Sequence, residues 1–247
     1  MNNRIIRILP LVFLAVLSQG ITSCDDGHVD DPVYVDDNNY YNVMITGNFT
    51  HLKTWSGDYS VAAGTYDDES EYSLVQKVLP STATDTSIDT LYLSNVPVTS
   101  KTVEIAVVNR LRMRIATLYS YAIPDNQRYD DTIRIDVGTL NVGMFGAINK
   151  YVFQNTSVNC SRCHASAEST ANLDLTEANA YAALVNVQSH TNDSLMRVKP
   201  GDADNSYLYK AIMNEASEIH YNHNGLFSDI PDFLNIIKSW INSGAKE

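Results

Sequence analysis

The stretch Val158–Ser166 reads VNCSRCHAS: Cys160 and Cys163 stand three apart, and His164 follows the second cysteine directly. Three chemistries use such a spacing. A redox dithiol of the thioredoxin type needs a strand before the pair and a parallel sheet around it. A structural zinc needs two further ligands to complete a tetrahedron. Covalent haem needs both sulfurs as thioethers and the adjacent imidazole on iron. Each asks for a different body around the nonapeptide, so the flanking sequence has to arbitrate.

From Gly143 onward the apolar period is helical. AINKYVFQNT leads into the cysteines as a short helix or turn, and TEANAYAALVNV spaces Ala178, Tyr181, Ala182 and Val185 by three and four behind Thr176 as N-cap. DADNSYLYKAIM gives a third element, capped by Asp202 or Asp204. In the last, Ser228 caps and Pro231 lies in the first turn. Ile230, Phe233, Leu234, Ile237, Trp240 and Ile241 form one stripe there, and Gly244 follows the end. The pattern predicts a four-helix segment whose apolar stock is thin, and small domains of that kind need a metal, a disulfide or a large cofactor to complete the core. The dithiol lacks its strand and sheet. Zinc stays open, with Cys160, Cys163 and the distant pair His220/His223 as its four ligands. Haem uses the whole pentapeptide, with Ser161 and Arg162 as the two free positions.

Upstream, between Tyr40 and Val142, the period is two. TVEIAV (102–107) points Val103, Ile105 and Val107 one way, and TIRIDV (132–137) repeats the scheme with Ile133, Ile135 and Val137. NVMIT, YSVAAGTY, YSLVQKV, TLYLSNV and MRIATLYSY complete a set of about seven short strands separated by turn-forming residues, the cadence of an all-β antiparallel, Ig-like sandwich. The fifteen tyrosines suit strand packing, and a glycan-binding face is the alternative use for them. His51 near Trp55 and His190 in QSHTND stand in polar loops with no partner motif.

The N-terminus has export anatomy: MNNRIIR is basic, ILPLVFLAVL is apolar but too short to span a bilayer, and SQGITSC ends at Cys24. The approach Ile21-Thr22-Ser23 to that cysteine resembles a bacterial lipobox, which implies a lipid on Cys24 and a place in the cell envelope, anchored to the outer membrane. Residues 24–39 then read as an acidic tether. The whole chain carries 17 basic and 29 acidic residues; cleavage after residue 23 removes Arg4 and Arg7 and no acid, leaving 15 against 29, a balance of −14. Such a charge argues against nucleic acid as a partner. The domains expected are thus a lipoprotein signal peptide at 1–23, the tether at 24–39, a β-sandwich at 40–142 and an all-α domain at 143–247.

Pro200-Gly201-Asp202, Asn205-Ser206-Tyr207-Leu208-Tyr209, Phe227-Ser228 and Trp240-Ile241-Asn242-Ser243-Gly244-Ala245, taken with the CxxCH pentapeptide, resemble the outline of monohaem class I cytochrome c domains of exported bacterial proteins. The resemblance implies an all-α cytochrome c-like domain, one haem c on Cys160 and Cys163, and His164 as proximal axial ligand. It further implies crossing first and last helices, with Trp240 near Tyr151 and Phe153. Relatives place a Met-Pro pair before the final helix, whereas this chain has EIHYNHNGLFS. Counting back from Leu226-Phe227-Ser228 puts His220 at the methionine position, with His223 the alternative distal ligand and Met213 or Met196 after them. Arg162, Arg197 and Lys199 are candidates to pair with propionates. The function expected is one-electron transfer by a membrane-anchored c-type cytochrome, an electron carrier rather than an enzyme, with an unidentified redox protein as partner. The alternative is a surface lipoprotein whose sandwich binds a glycan or protein, with haem or zinc as a structural element.

Overall fold

Alternating β-branched and aromatic residues form strands wherever their period is two. The computed structural model describes residues 40–55, 57–80, 88–129 and 131–247. Within them lie β1 (Tyr40–Thr50), β2 (Tyr59–Tyr66), β3 (Val75–Val78), β4 (Ile88–Pro97), β5 (Thr102–Asn109), β6 (Arg114–Ala122) and β7 (Thr132–Asn141). The signal peptide, Cys24 and the acidic tether fall outside the described residues.

The strands make two sheets, ordered β4-β1-β7 and β3-β2-β5-β6. The expectation of a purely antiparallel, Ig-like sandwich is corrected here, because β7 leaves the sheet of β6 and runs parallel to β1. The register between them shifts after Thr46, where Gly138 takes a left-handed φ of 61° and makes the bulge. Gly47 faces that bulge so closely that a Cβ would stand 2.2 Å from the Val137 Cγ2, which excludes any side chain there.

Val43, Ile45, Val61, Val103, Ile105, Val107, Ile133 and Ile135 are all buried, as their alternation requires. The opposite face of β5 is buried as well. Glu104 is only 5% exposed, and Ala106 and Val108 are fully enclosed. Glu104 is satisfied by both oxygens accepting from Arg114 Nη1 at 3.0 Å, with Thr117 and Thr102 hydroxyls donating at 2.8 and 3.0 Å. Arg114 also pairs with Glu71 and lies over the Tyr66 ring. A charge in such a place is tolerated only because every lone pair has a donor.

The C-terminal region corrects a second expectation. Its α-helices are α1 (Met144–Ile148), α2 (Ala180–Leu184), α3 (Tyr207–Ile212) and α4 (Asp232–Asn242), and three of the four are six residues or shorter. The remainder is turns, short 3₁₀ segments, a π-helical turn at Asn149–Phe153 and isolated bridges, so no all-α cytochrome c-like domain forms. Two local causes stand out. Thr176 does not cap α2: its amide and hydroxyl are both tied to Asp174, and the helix starts four residues later. Beyond Leu184 the chain turns extended, and Val185 and Gln188 pair with Val198 and Met196 instead of continuing the helix.

α4 is the one helix of ordinary length. It buries Phe233, Ile236, Ile237, Trp240 and Ile241, and Gly244 at φ 100° ends it. Trp240 packs on Phe145, with ring centroids 5.2 Å apart, while Tyr151 stacks on Phe233 at 5.6 Å. Phe145 also meets Phe153 edge-on at 6.3 Å, so it stands between Phe153 and Trp240.

Bonds from this region reach the strands directly. Tyr151 Oη and Lys150 Nζ donate to the Thr117 carbonyl of edge strand β6, and Tyr59 Oη of β2 donates to Asp232 at 2.9 Å. One apolar cluster runs from Val43 and Ile105 through Phe145 and Phe153 to Trp240. Among the described residues no helix is long and apolar enough to cross a membrane.

Candidate functional site

The nonapeptide sits on a tight turn. Asn159 enters it in the left-handed region at φ 45°, Cys160–Arg162 form a 3₁₀ turn, and the amides of Cys163 and His164 both donate to the Cys160 carbonyl. This winding separates the two thiols in environment. Cys160 is half-buried against the core and burial pushes its thiol up to about 12, whereas Cys163 is exposed; both are free. Cys160, with its thiol kept protonated by burial, makes a poor attacking group.

His164 is held from behind. Its Nδ1 lies 2.8 Å from the Thr170 carbonyl, an acceptor only, so Nδ1 carries the proton and Nε2 keeps its lone pair. Its own carbonyl accepts from Leu175, and Ala165 bridges Asp174, closing a loop over residues 165–174. A ring committed through one nitrogen with the other left basic is the usual arrangement of a metal-ligating histidine.

The two distal candidates part company in the fold. His220 is exposed. His223 is half-buried, stands edge-on to Tyr221 at 4.9 Å, and has an enclosed Nδ1 without a hydrogen-bond partner. Burial holds its imidazole below the ordinary value, the neighbouring His164 acts in the same direction, and the Tyr221 backbone opposes them. His164 and His223 are thus within electrostatic reach of one another. Met213 is close by, its Sδ 4.0 Å from Asn224 Nδ2, while Met196 is exposed in an extended segment.

The donors offered here are two free thiols on one turn, a His164 held through Nδ1, and an enclosed, unpartnered Nδ1 on His223. The zinc alternative is not assembled, since among the described residues no three His, Cys, Asp or Glu side chains gather as a metal cluster. Of the candidate propionate partners, Lys199 is paired with Asp202 at 2.7 Å, and Arg197 is turned to backbone carbonyls at Ala183 and Asn172. Sequence reading had no signal for the Thr170 carbonyl, because a backbone acceptor leaves no mark in residue type. Nor did it find the buried Glu104–Arg114 pair, whose glutamate it placed on an open strand face.

No protein-family model, curated protein or solved structure matches the chain. With the short, loop-linked helices of residues 143–247, this withdraws the resemblance to a class I cytochrome c domain of an exported lipoprotein.

Proposed function

We propose that the protein is a membrane-anchored carrier of single electrons, with one haem c attached through Cys160 and Cys163. The observation that supports this reading is a His164 held through Nδ1, directly after two free thiols on one turn and within electrostatic reach of the half-buried His223. Bound there, haem supplies a reversible one-electron iron couple. The chain supplies the rest. Cys160 and Cys163 hold the group, and His164 offers Nε2 while Thr170 fixes its ring. His223, rather than His220, is the better-placed second ligand; two imidazoles give a lower potential than imidazole with thioether. Lipid on Cys24 would keep this body in the cell envelope, and its partner is a redox protein.

The test is to export the chain in cells with a working haem-attachment pathway and measure pyridine haemochrome per chain. One haem per chain, lost in Cys160→Ala with Cys163→Ala, is expected. His223→Ala should change the iron spin state and His220→Ala should not. A colourless preparation overturns the reading.

A second reading has one observation in its favour. Tyr40 and Tyr92, 50% and 58% exposed, stand on the solvent face of the β4-β1-β7 sheet, where Met44 separates Tyr92 from Arg134. Aromatic and polar groups on one flat face suit a glycan. Binding to a glycan array that vanishes in Tyr92→Ala would establish it.

A further inference from the structure

The loop that presents the Thr170 carbonyl to His164 is strained: Ala171 and the following Asn172 both lie in the left-handed region, at φ 59° and 49°. Two consecutive non-glycine residues there persist only where their surroundings over-determine them. The loop has bonds of its own, the Asn172 amide donating to the Ser169 carbonyl at 2.9 Å and Ser169 Oγ to the Leu173 carbonyl at 3.0 Å, while the carbonyls of the two left-handed residues are met from outside it by one side chain. Arg197 donates through Nη2 to the Asn172 carbonyl at 2.7 Å and the Ala171 carbonyl at 3.4 Å, and through Nη1 to the Ala183 carbonyl at 2.8 Å. The Ala183 carbonyl belongs to the last turn of α2, so the guanidinium ties the strained loop to a helix end.

Arg197 is itself fixed at both backbone ends. Its amide donates to the Val187 carbonyl at 2.7 Å and its carbonyl accepts from Leu208 in α3 at 2.9 Å. No ion pair among the described residues involves it, although it is half-buried. A planar fork spreads its donors over separate nitrogens and so reaches carbonyls on two different segments, whereas a lysine ammonium presents its three donors from one nitrogen.

We propose that Arg197 is a positioning residue for His164: by pinning the Ala171 and Asn172 carbonyls it aims the Thr170 carbonyl at Nδ1 and so selects the ring tautomer whose Nε2 is free for a metal. The purpose of this arrangement rests on the proposed haem function; the tautomer selection itself does not. Without the staple the loop relaxes, the Nδ1 proton loses its acceptor, and the two neutral tautomers approach their solution balance.

The test uses the full chain made without haem attachment, with ¹⁵N-histidine spectra reporting the tautomer of His164. In Arg197→Lys and Arg197→Met the ratio of Nδ1–H to Nε2–H forms should fall roughly five-fold, the weight of one ordinary neutral hydrogen bond. Lys199→Met, a neighbour bonded elsewhere, should leave it unchanged. In the exported protein, Arg197→Lys should raise the midpoint potential, because an imidazole without its carbonyl partner is a weaker base. An unchanged tautomer ratio in a folded Arg197→Lys chain overturns the proposal, and that variant decides the matter if Arg197→Met does not fold. A colourless exported protein together with a fallen ratio would remove the haem reading and still support this one.

Discussion

In the sandwich, backbone groups meet one another along ladders: β2 pairs with β5 residue by residue from Tyr59 against Asn109 to Tyr66 against Thr102. In residues 143–247 the backbone bonds are those of turns, short helices and isolated bridges, and several carbonyls are met by side chains. Arg197 serves Asn172 and Ala183, Tyr181 serves Ala245, Trp240 serves Lys246, and Gln154 serves Leu175. A ladder follows from alternation and tolerates changes of residue type on its faces. A backbone held by individual side chains depends on each of them.

The largest expected effect comes where the two regions share a core. Trp240→Ala should cost about 3–5 kcal/mol, the range for emptying a fully buried indole site, measured by urea denaturation. Because one apolar cluster joins Trp240 to Ile105, far-ultraviolet and fluorescence signals should move together; two separate transitions would show that the regions fold apart.

Next is the buried pair on the outer face of β5. Glu104→Ala removes the acceptor of Arg114, Thr102 and Thr117 together and should destabilise by about 3 kcal/mol, the cost of leaving a buried charge uncompensated. Arg114 keeps the exposed Glu71, so a loss under about 1 kcal/mol would mean that this outer pair suffices.

The smallest effect is the dependence on pH through His223. Its imidazole titrates below the ordinary 6.5 in the folded chain, so the unfolded chain binds the proton first. The stability associated with neutral His223 is complete above 6.5 and declines as pH falls from there toward the depressed folded value. His223→Gln should flatten that decline; a parent chain whose stability stays level between pH 7 and 5 would contradict the burial of this ring.

The seven strands were legible because period two has one structural solution for segments this short, and β2 coincides with YSVAAGTY from end to end. Helix readings fared less well, and TEANAYAALVNV shows why. Its spacing is helical, yet Asp174 takes the intended cap and a bridge to Val198 takes Val185. Both competitors are invisible to periodicity. Burial escapes periodicity in the same way: of the two histidines in EIHYNHNGLFS, His220 is exposed and His223 half-buried.

By itself, the sequence determined where strands would run and that two cysteines and a histidine share one short segment, since alternation and a fixed short spacing are local properties of the chain. Only the tertiary structure decided that β7 runs parallel to β1, that β5 is enclosed on both faces, and that Thr170 and Arg197 stand behind His164. These depend on carbonyls and side chains brought together from distant positions, where residue type places no constraint until the backbone is folded.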